Sequence, residues 1–281
     1  MALTNFIPAV YAAATMAALD TSLAYGSEGV INRDYEGDVS EFGGSVIVNT
    51  IADPTIETYT SYTAMAGGNA ASTPQTMTIG QKKAWSLDLD DVDGAQARDA
   101  GDFVEKVTAR AAHLLAKTAD AYIAAQMAAA ITPGAEVTVD AANEAYDLLV
   151  DLRTSLSQND VPVDGRWVVV TPAFHGWLLK DPRFVSSGDA LGGITRSSGV
   201  VGNAAGFTVL ESNQVPDGPG AAAGKLIIAG HSLATTYADQ VTKVEALRHP
   251  DKFVDRLRGL HVYGAKVVRA NCLAARDVVG A

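Results

Sequence analysis

The sequence predicts an α+β fold whose parts are long and only partly self-sufficient. Three observations carry this expectation. Two Thr-rich stretches, Thr55–Thr60 and Gln75–Ile79, flank a Gly/Ala-rich tip at 65–72. One helical pattern runs from about residue 95 to 131 and stops at Pro133-Gly134. The tail from Val241 to Val279 alternates apolar and polar residues between short turns.

The elements follow in chain order. Pro8 suits the first turn of a short helix, and Ala-rich sequence continues it to Leu19. Tyr25 to Asp38 is irregular and polar, an arm more than a core element. Ser45–Val48 and the alternating Thr55–Thr60 read as strands. With Gln75–Ile79 they make a long hairpin with little apolar mass of its own, so it needs another surface to lie on. Ala84–Asp90 alternates cleanly and returns to the core. The long helix sets Phe103, Val107, Leu114, Thr118 and Tyr122 near one stripe, flanked by Val104, Leu115 and Ile123. Asp99, Asp102 and Glu105 suit the positive end of its dipole. Counted from Asp102 it is about 45 Å long at 1.5 Å per residue. A second helix starts at an Asp140 cap and ends near Gln158, with Tyr146, Leu149, Leu152 and Leu156 inward. Arg166–Val170 reads as a strand and Pro172–Lys180 as a short helix. A Ser/Gly-rich loop at 185–206 leads into strand Phe207–Leu210, and Leu226–Ala229 forms another strand.

Composition narrows the function. The 281 residues carry a formal charge of −11 and are 48% hydrophobic. Nucleic-acid affinity comes largely from Lys and Arg neutralising phosphates, so so acidic a chain is a poor direct binder. The charge is unevenly spread. Residues 1–80 hold Arg33 as their one basic side chain against eight acids, whereas 243–269 hold seven Lys and Arg against Glu245, Asp251 and Asp255. Such segregation makes either two solvated faces or two surfaces built to meet. The single Cys272 excludes an intrachain disulfide and a Cys-rich zinc site, and its apolar neighbours suggest a buried, inert thiol. Phe6–Leu19 has no basic residues before it and is too short to span a bilayer, so a soluble chain made in the cytoplasm is expected, with no membrane partner.

Several motifs invite chemistry. Gly230-His231-Ser232-Leu233-Ala234 after an apolar strand outlines a nucleophile elbow, and Val168–Val170 before His175-Gly176 resembles the strand that shapes an oxyanion hole. Against a serine hydrolase using Ser232, Ala234 replaces the last glycine. The remaining 49 residues scarcely accommodate an acid (Asp239, Asp251 or Asp255) and His261 on further strand–helix units. The glycines of 199–206 lack dinucleotide spacing and run into a strand, which fits a tight turn. His113, His175, His231, His249 and His261 show no metal-ligand spacing, and the Asp88–Asp93 run is expected to solvate a turn. No catalytic, cofactor or metal site is therefore expected.

The order of the parts resembles the tailed-phage major capsid proteins of the HK97 fold, in particular the P22-coat-like branch. Asn5–Ala12 and Ile31–Gly37 resemble that branch's N-arm, and Gly43–Val48 the strand leading to the E-loop. The Thr-rich hairpin is similar to the E-loop itself, and 95–131 to the spine helix. Gly202–Pro216 is similar to a glycine–strand–Ser-Asn pattern of the axial (A) domain, and Arg258–Val268 to the closing strand of the peripheral (P) domain. The resemblance implies an N-arm at 1–44, an E-loop region at 45–90, a P-domain spine helix at 91–137, an A-domain at 138–240 and closing P-domain strands at 241–281. It implies self-assembly through pentamers and hexamers into an icosahedral shell enclosing double-stranded DNA without sequence-specific binding. The implied location is the virion capsid. A separate scaffolding protein and a portal are expected partners, and a decoration protein a further one. An encapsulin-type compartment is the alternative within the fold. The inter-subunit contacts implied fall on Pro8, Tyr11, Arg33, Glu36, Glu41, Glu57, Tyr59, Met65, Gly67, Gly68, Arg248, Arg256 and Arg258. Among these, Glu36, Glu41 and Glu57 are expected to meet Arg248, Arg256 and Arg258 of a neighbour. No long N-terminal delta domain is expected before the arm, nor the insertion domain of P22 coat. Asp34–Gln81 contains no Lys, so a lysine crosslink in the E-loop is not expected.

Overall fold

The computed structural model describes residues 23–34, 45–51, 56, 58–62, 64, 72–90, 100–181, 202–220, 224–249 and 251–280. Strands β1 (Ser45–Ile51) and β2 (Ser72–Thr78) pair antiparallel, from Ser45 opposite Thr78 to Ile51 opposite Ser72. Strand β3 (Gln81–Asp90) leads towards helix α1 (Ala100–Ala130). Then come β4 (Gly134–Thr138), α2 (Ala142–Gln158), β5 (Arg166–Val170) and α3 (Pro172–Lys180). The chain continues through β6 (Asn203–Ala204), β7 (Phe207–Glu211) and β8 (Lys225–His231). It closes with β9 (Thr235–Arg248), β10 (Val254–Val267) and β11 (Leu273–Val279).

Two larger sheets result. The first has the order β4-β11-β8-β5-β7-β6, with β4–β11 and β5–β7 parallel and the other pairs antiparallel. Its central strands read as unbroken apolar runs because both faces are covered: Val168, Val169, Val170, Leu226, Ile227, Ile228 and Ala229 are all buried. The second is the antiparallel trio β3-β10-β9. Helix α1 lies against β10, and α2 lies against α3 and β11.

The strand Arg166–Val170 and the helix Pro172–Lys180 have the expected bounds. Thr171 caps α3 by accepting the Phe174 N–H at 3.2 Å, and Pro172 needs no donor there. The tight turn before β7 is also as expected. Ala205 and Gly206 both have positive φ, 49° and 83°, the geometry of a two-residue hairpin.

Several expectations need correction. Ile56 and Tyr59 lie in no strand; β2 pairs instead with Ser45–Ile51. Alternation without a facing partner strand does not make a ladder. The N-cap of α2 is Ala141 rather than Asp140, and the Glu144 carboxylate accepts the N–H groups of Asp140 (3.0 Å) and Ala141 (3.1 Å). On α1 the buried stripe is Ala112, Leu115, Ala116, Ala119, Ile123, Ala124 and Met127, while Leu114 is 48% exposed. Leu115 and Ile123, expected to flank the stripe, lie within it, and the alanines beside them let the helix axis approach the sheet closely. The boundary at 240/241 falls within β9, and β11 joins the six-stranded sheet through β8. Cys272 is half-buried, not fully enclosed.

The segment 23–34 is irregular, as its sequence suggests, yet it is tied into the core. Leu23, Tyr25, Val30 and Ile31 belong to the main buried cluster with α1 and both sheets. Two small clusters stand apart. Val46, Met77, Ile79 and Ala238 seat the root of the β1–β2 hairpin. Val244 and Leu257, flanked by Trp85, Leu87 and Leu89, hold the outer end of the three-stranded sheet.

Candidate functional site

The strongest chemical motif dissolves on inspection of its backbone. Ser232 opens a single 3-10 turn, Ser232–Ala234, that passes directly into strand β9 and not into a helix. Nε2 of His231 lies 2.9 Å from the Asp164 carbonyl, and its Nδ1 accepts the Leu233 N–H at 3.2 Å. Both ring nitrogens are thereby committed away from Ser232. His261 and Asp239 do meet, at 3.2 Å, but His261 is fully buried and its Nδ1 has no hydrogen-bond partner. Among the described residues no group of three or more His, Cys, Asp or Glu could hold a metal ion.

The features that stand out are attachments. Asp120 of α1 accepts the N–H groups of Ala24 (2.8 Å, Oδ2) and Gly26 (3.1 Å, Oδ1), which pins the 23–34 segment to the helix. Burial raises its carboxyl above the ordinary range, against the lowering effect of these backbone donors. Asn32 then bridges β9 in parallel, donating to the Thr235 carbonyl (2.9 Å) and accepting the Tyr237 N–H (3.0 Å). Arg33 donates to the Gly26 carbonyl at 3.0 Å and sits 5.5 Å from the centre of the Tyr237 ring. Below it, the Tyr237 hydroxyl donates to Asp239 at 3.0 Å. Burial alone would raise the Asp239 carboxyl; hydrogen bonds from His261 and Tyr237 and the charge of Arg33 outweigh it and hold the carboxyl low.

The arginines of β9 and β10 are engaged within their own chain. Arg256 grips Asp88 with two bonds, Nε at 2.5 Å and Nη2 at 2.6 Å. The Arg256 hydrogen bond lowers the Asp88 carboxyl, and the guanidinium is raised in return. Arg258 donates to Glu245 from Nε (2.9 Å) and Nη2 (2.5 Å), and Arg248 bonds Asp255 at 3.0 Å. The Arg256–Asp88 pair was not legible in the sequence, since its residues lie 168 apart. Tyr59 is 69% exposed, beside the still more open Ile56 and Tyr62. Pro8, Tyr11, Glu36, Glu41, Glu57, Met65, Gly67 and Gly68 lie outside the described residues.

The family model described as phage capsid protein matches residues 72–275. The chain belongs to the phage capsid protein family. A solved chain of Mycobacterium phage Che8 is similar at 29% identity and TM-score 0.71, covering 98% of each chain. A chain from the capsid structure of the cyanophage P-SCSP1u is similar at 16% identity and TM-score 0.68, over 85% of this chain and 84% of that one. A chain of a virus-like particle from Pyrococcus furiosus is similar in fold at 10% identity and TM-score 0.57, over 96% and 99%. No curated protein matches. The mixed helices and sheets of this capsid protein are those of the HK97-type capsid structures. It is a tailed-phage major capsid protein, a structural component of an icosahedral capsid.

Proposed function

We propose that the capsid protein assembles through pentamers and hexamers into a shell that encloses double-stranded DNA. The observation that carries this reading is the β1–β2 hairpin. Its root holds one small cluster, and it leaves Ile47, at 60% exposure, together with Ile56, Tyr59 and Tyr62 in solvent. Apolar side chains so placed gain by lying on a neighbouring copy. In this reading β5, β7, β8 and their helices form the A-domain, while α1 with the β3-β10-β9 sheet forms the P-domain. A separate scaffolding protein and a portal take part, with a decoration protein as a further partner, and synthesis takes place in the host cytoplasm. The protein has no catalytic role.

The arm and hairpin acids Glu36, Glu41 and Glu57 are proposed to meet Arg248, Arg256 and Arg258 of a neighbour. Because Asp255, Asp88 and Glu245 already hold those arginines, the incoming carboxylates share a formed charge network. Exposed pairs of this kind contribute little singly and are screened by salt. Reversing Glu57 to Lys is therefore expected to lower shell yield most at low ionic strength. Equal yield for both chains across a salt series removes this contact. Electron microscopy of the purified chain, alone and with a scaffold partner, tests the whole reading. Shells tens of nanometres across are expected, and a stable monomer under both conditions overturns it. Protein cargo in place of DNA inside shells recovered from cells points to an encapsulin-type compartment.

A further inference from the structure

Helix α1 carries an array of cations that the net charge of −11 conceals. Lys106, Arg110, His113 and Lys117 are all exposed, and their steps of four, three and four residues keep them on one side of the helix. At 100° per residue the four directions fall within an arc of about 60°, and at 1.5 Å per residue they span about 16 Å. From residue 106 to 130 the helix has one carboxylate, Asp120, and that group is buried and committed to Ala24 and Gly26. Among the described residues, Arg110, His113 and Lys117 have no hydrogen-bond or ion-pair partner, whereas Lys106 has an interaction of its own. The array ends where the 23–34 segment begins to cover the helix: Asp120 and Ala124, on the same side, are buried.

We propose that this strip of α1 is a docking surface for the phosphate backbone of duplex DNA, which rests on the reading of a shell enclosing double-stranded DNA. Duplex DNA presents one negative charge per about 1.7 Å of its axis, so a straight row of like cations meets phosphates along its whole length. Among the described residues, Arg110 and Lys117 meet no neutralising partner, so their charge is available to an anion. The side chains flanking the row are small, Ala109, Thr118 and Ala121, and leave a rod-shaped polyanion room to approach. Among the described residues, Leu114 is the one large apolar side chain exposed beside the row, too little for a protein partner that needs an apolar anchor. Contacts of this type read no base sequence. They place this face of α1 towards the packaged genome, and they give an otherwise acidic wall a local attraction for it.

The test compares the full chain with the double variant Arg110→Gln/Lys117→Gln, leaving Lys106, which has an interaction of its own, in place. Binding of unassembled protein to a mixed-sequence duplex is followed by fluorescence anisotropy over a salt series, and shell formation is imaged separately. The expected result is a log K against log salt slope shallower by about 1.8 in the variant, at about 0.9 per cation removed. Both proteins are expected to form shells of one diameter. Equal slopes overturn the proposal, as does an acidic polypeptide binding as tightly as the duplex and losing as much in the variant. Loss of shells in the variant alone also overturns it, because the strip is then a subunit contact. If the unmodified chain forms no shells, the shell reading fails, and the duplex measurement still decides the strip.

Discussion

Asp120 uses both carboxylate oxygens on two backbone donors, which no isosteric neutral group can reproduce. In Asp120→Asn one oxygen becomes an NH2 facing an N–H, and a buried donor is left without an acceptor. A loss of about 1–3 kcal/mol is expected in the docking of residues 23–34. Amide hydrogen exchange should show this as faster exchange at Gly26, Val30 and Ile31, with the middle of α1 unchanged. Asp239 supplies the pH dependence. Its folded carboxyl is held below the ordinary value of 3.8, so its stabilising contribution is complete above about pH 4. That contribution is lost as pH falls through the lowered folded value. In Asp239→Asn the acid limb of a plot of urea midpoint against pH should be flatter, and an unchanged limb would remove Asp239 from the account. Asp120 did not announce itself in the sequence, and Asp239 stood out there only as a candidate acid for a hydrolase. One carboxylate in an Ala-rich helix and one in a β-strand look like solvent-facing charges until the arm is laid over them.

At the level of elements, what was legible depended on where the partner lay. The β5–α3 unit could be bounded from its own residues, because Asp164-Gly165, a Val run and Thr171-Pro172 mark its ends locally. The inner face of α1 could not, since its alanines gain their meaning from how near the sheet comes. The hairpin root is a similar case of close approach. A Cβ on Gly264 of β10 would lie 2.7 Å from the Thr78 carbonyl oxygen and 3.0 Å from Ile79 Cα, both backbone atoms. Gly264→Ala must therefore push the root of β1–β2 off β10, at a cost of about 1–3 kcal/mol. Limited proteolysis is expected to cut the hairpin faster in this variant while leaving the six-stranded sheet intact. Identical digestion rates would show that the hairpin is held elsewhere. The arginine pairs belong to the same lesson: their residue types suggested charge contacts, but the register of β10 between β3 and β9 selected Asp88, Glu245 and Asp255 as partners.

For the whole molecule, two substitutions a few residues apart separate a shell subunit from a hydrolase. Ile227 is fully buried in the middle of the larger sheet, so Ile227→Asp buries a carboxylate in a tightly packed apolar core. Insoluble protein and no shells are expected. Ser232→Ala removes one hydroxyl from a half-buried turn and should leave melting temperature and shell yield unchanged. Loss of shells in Ser232→Ala would give this turn a role that its hydrogen bonds do not suggest. The overall fold was readable because arm, hairpin, long helix and closing strands occur in a characteristic order, even though several local bounds shifted. One part of that order has a mechanical consequence. Strands β9 and β10 have 14 residues each, about 45 Å at full extension. Their register shifts at Leu260/His261. On one side of the shift, Tyr237, Tyr263 and Ala265 are built into the main core; on the other, Val244 and Leu257 hold a satellite cluster. The ribbon is thus anchored in the main core at one end, and β3 splints it across the irregularity in unbroken register from Tyr263 opposite Gln81 to Val254 opposite Asp90. A load applied to its outer end is therefore shared by three strands before it reaches the buried contact of His261 with Asp239.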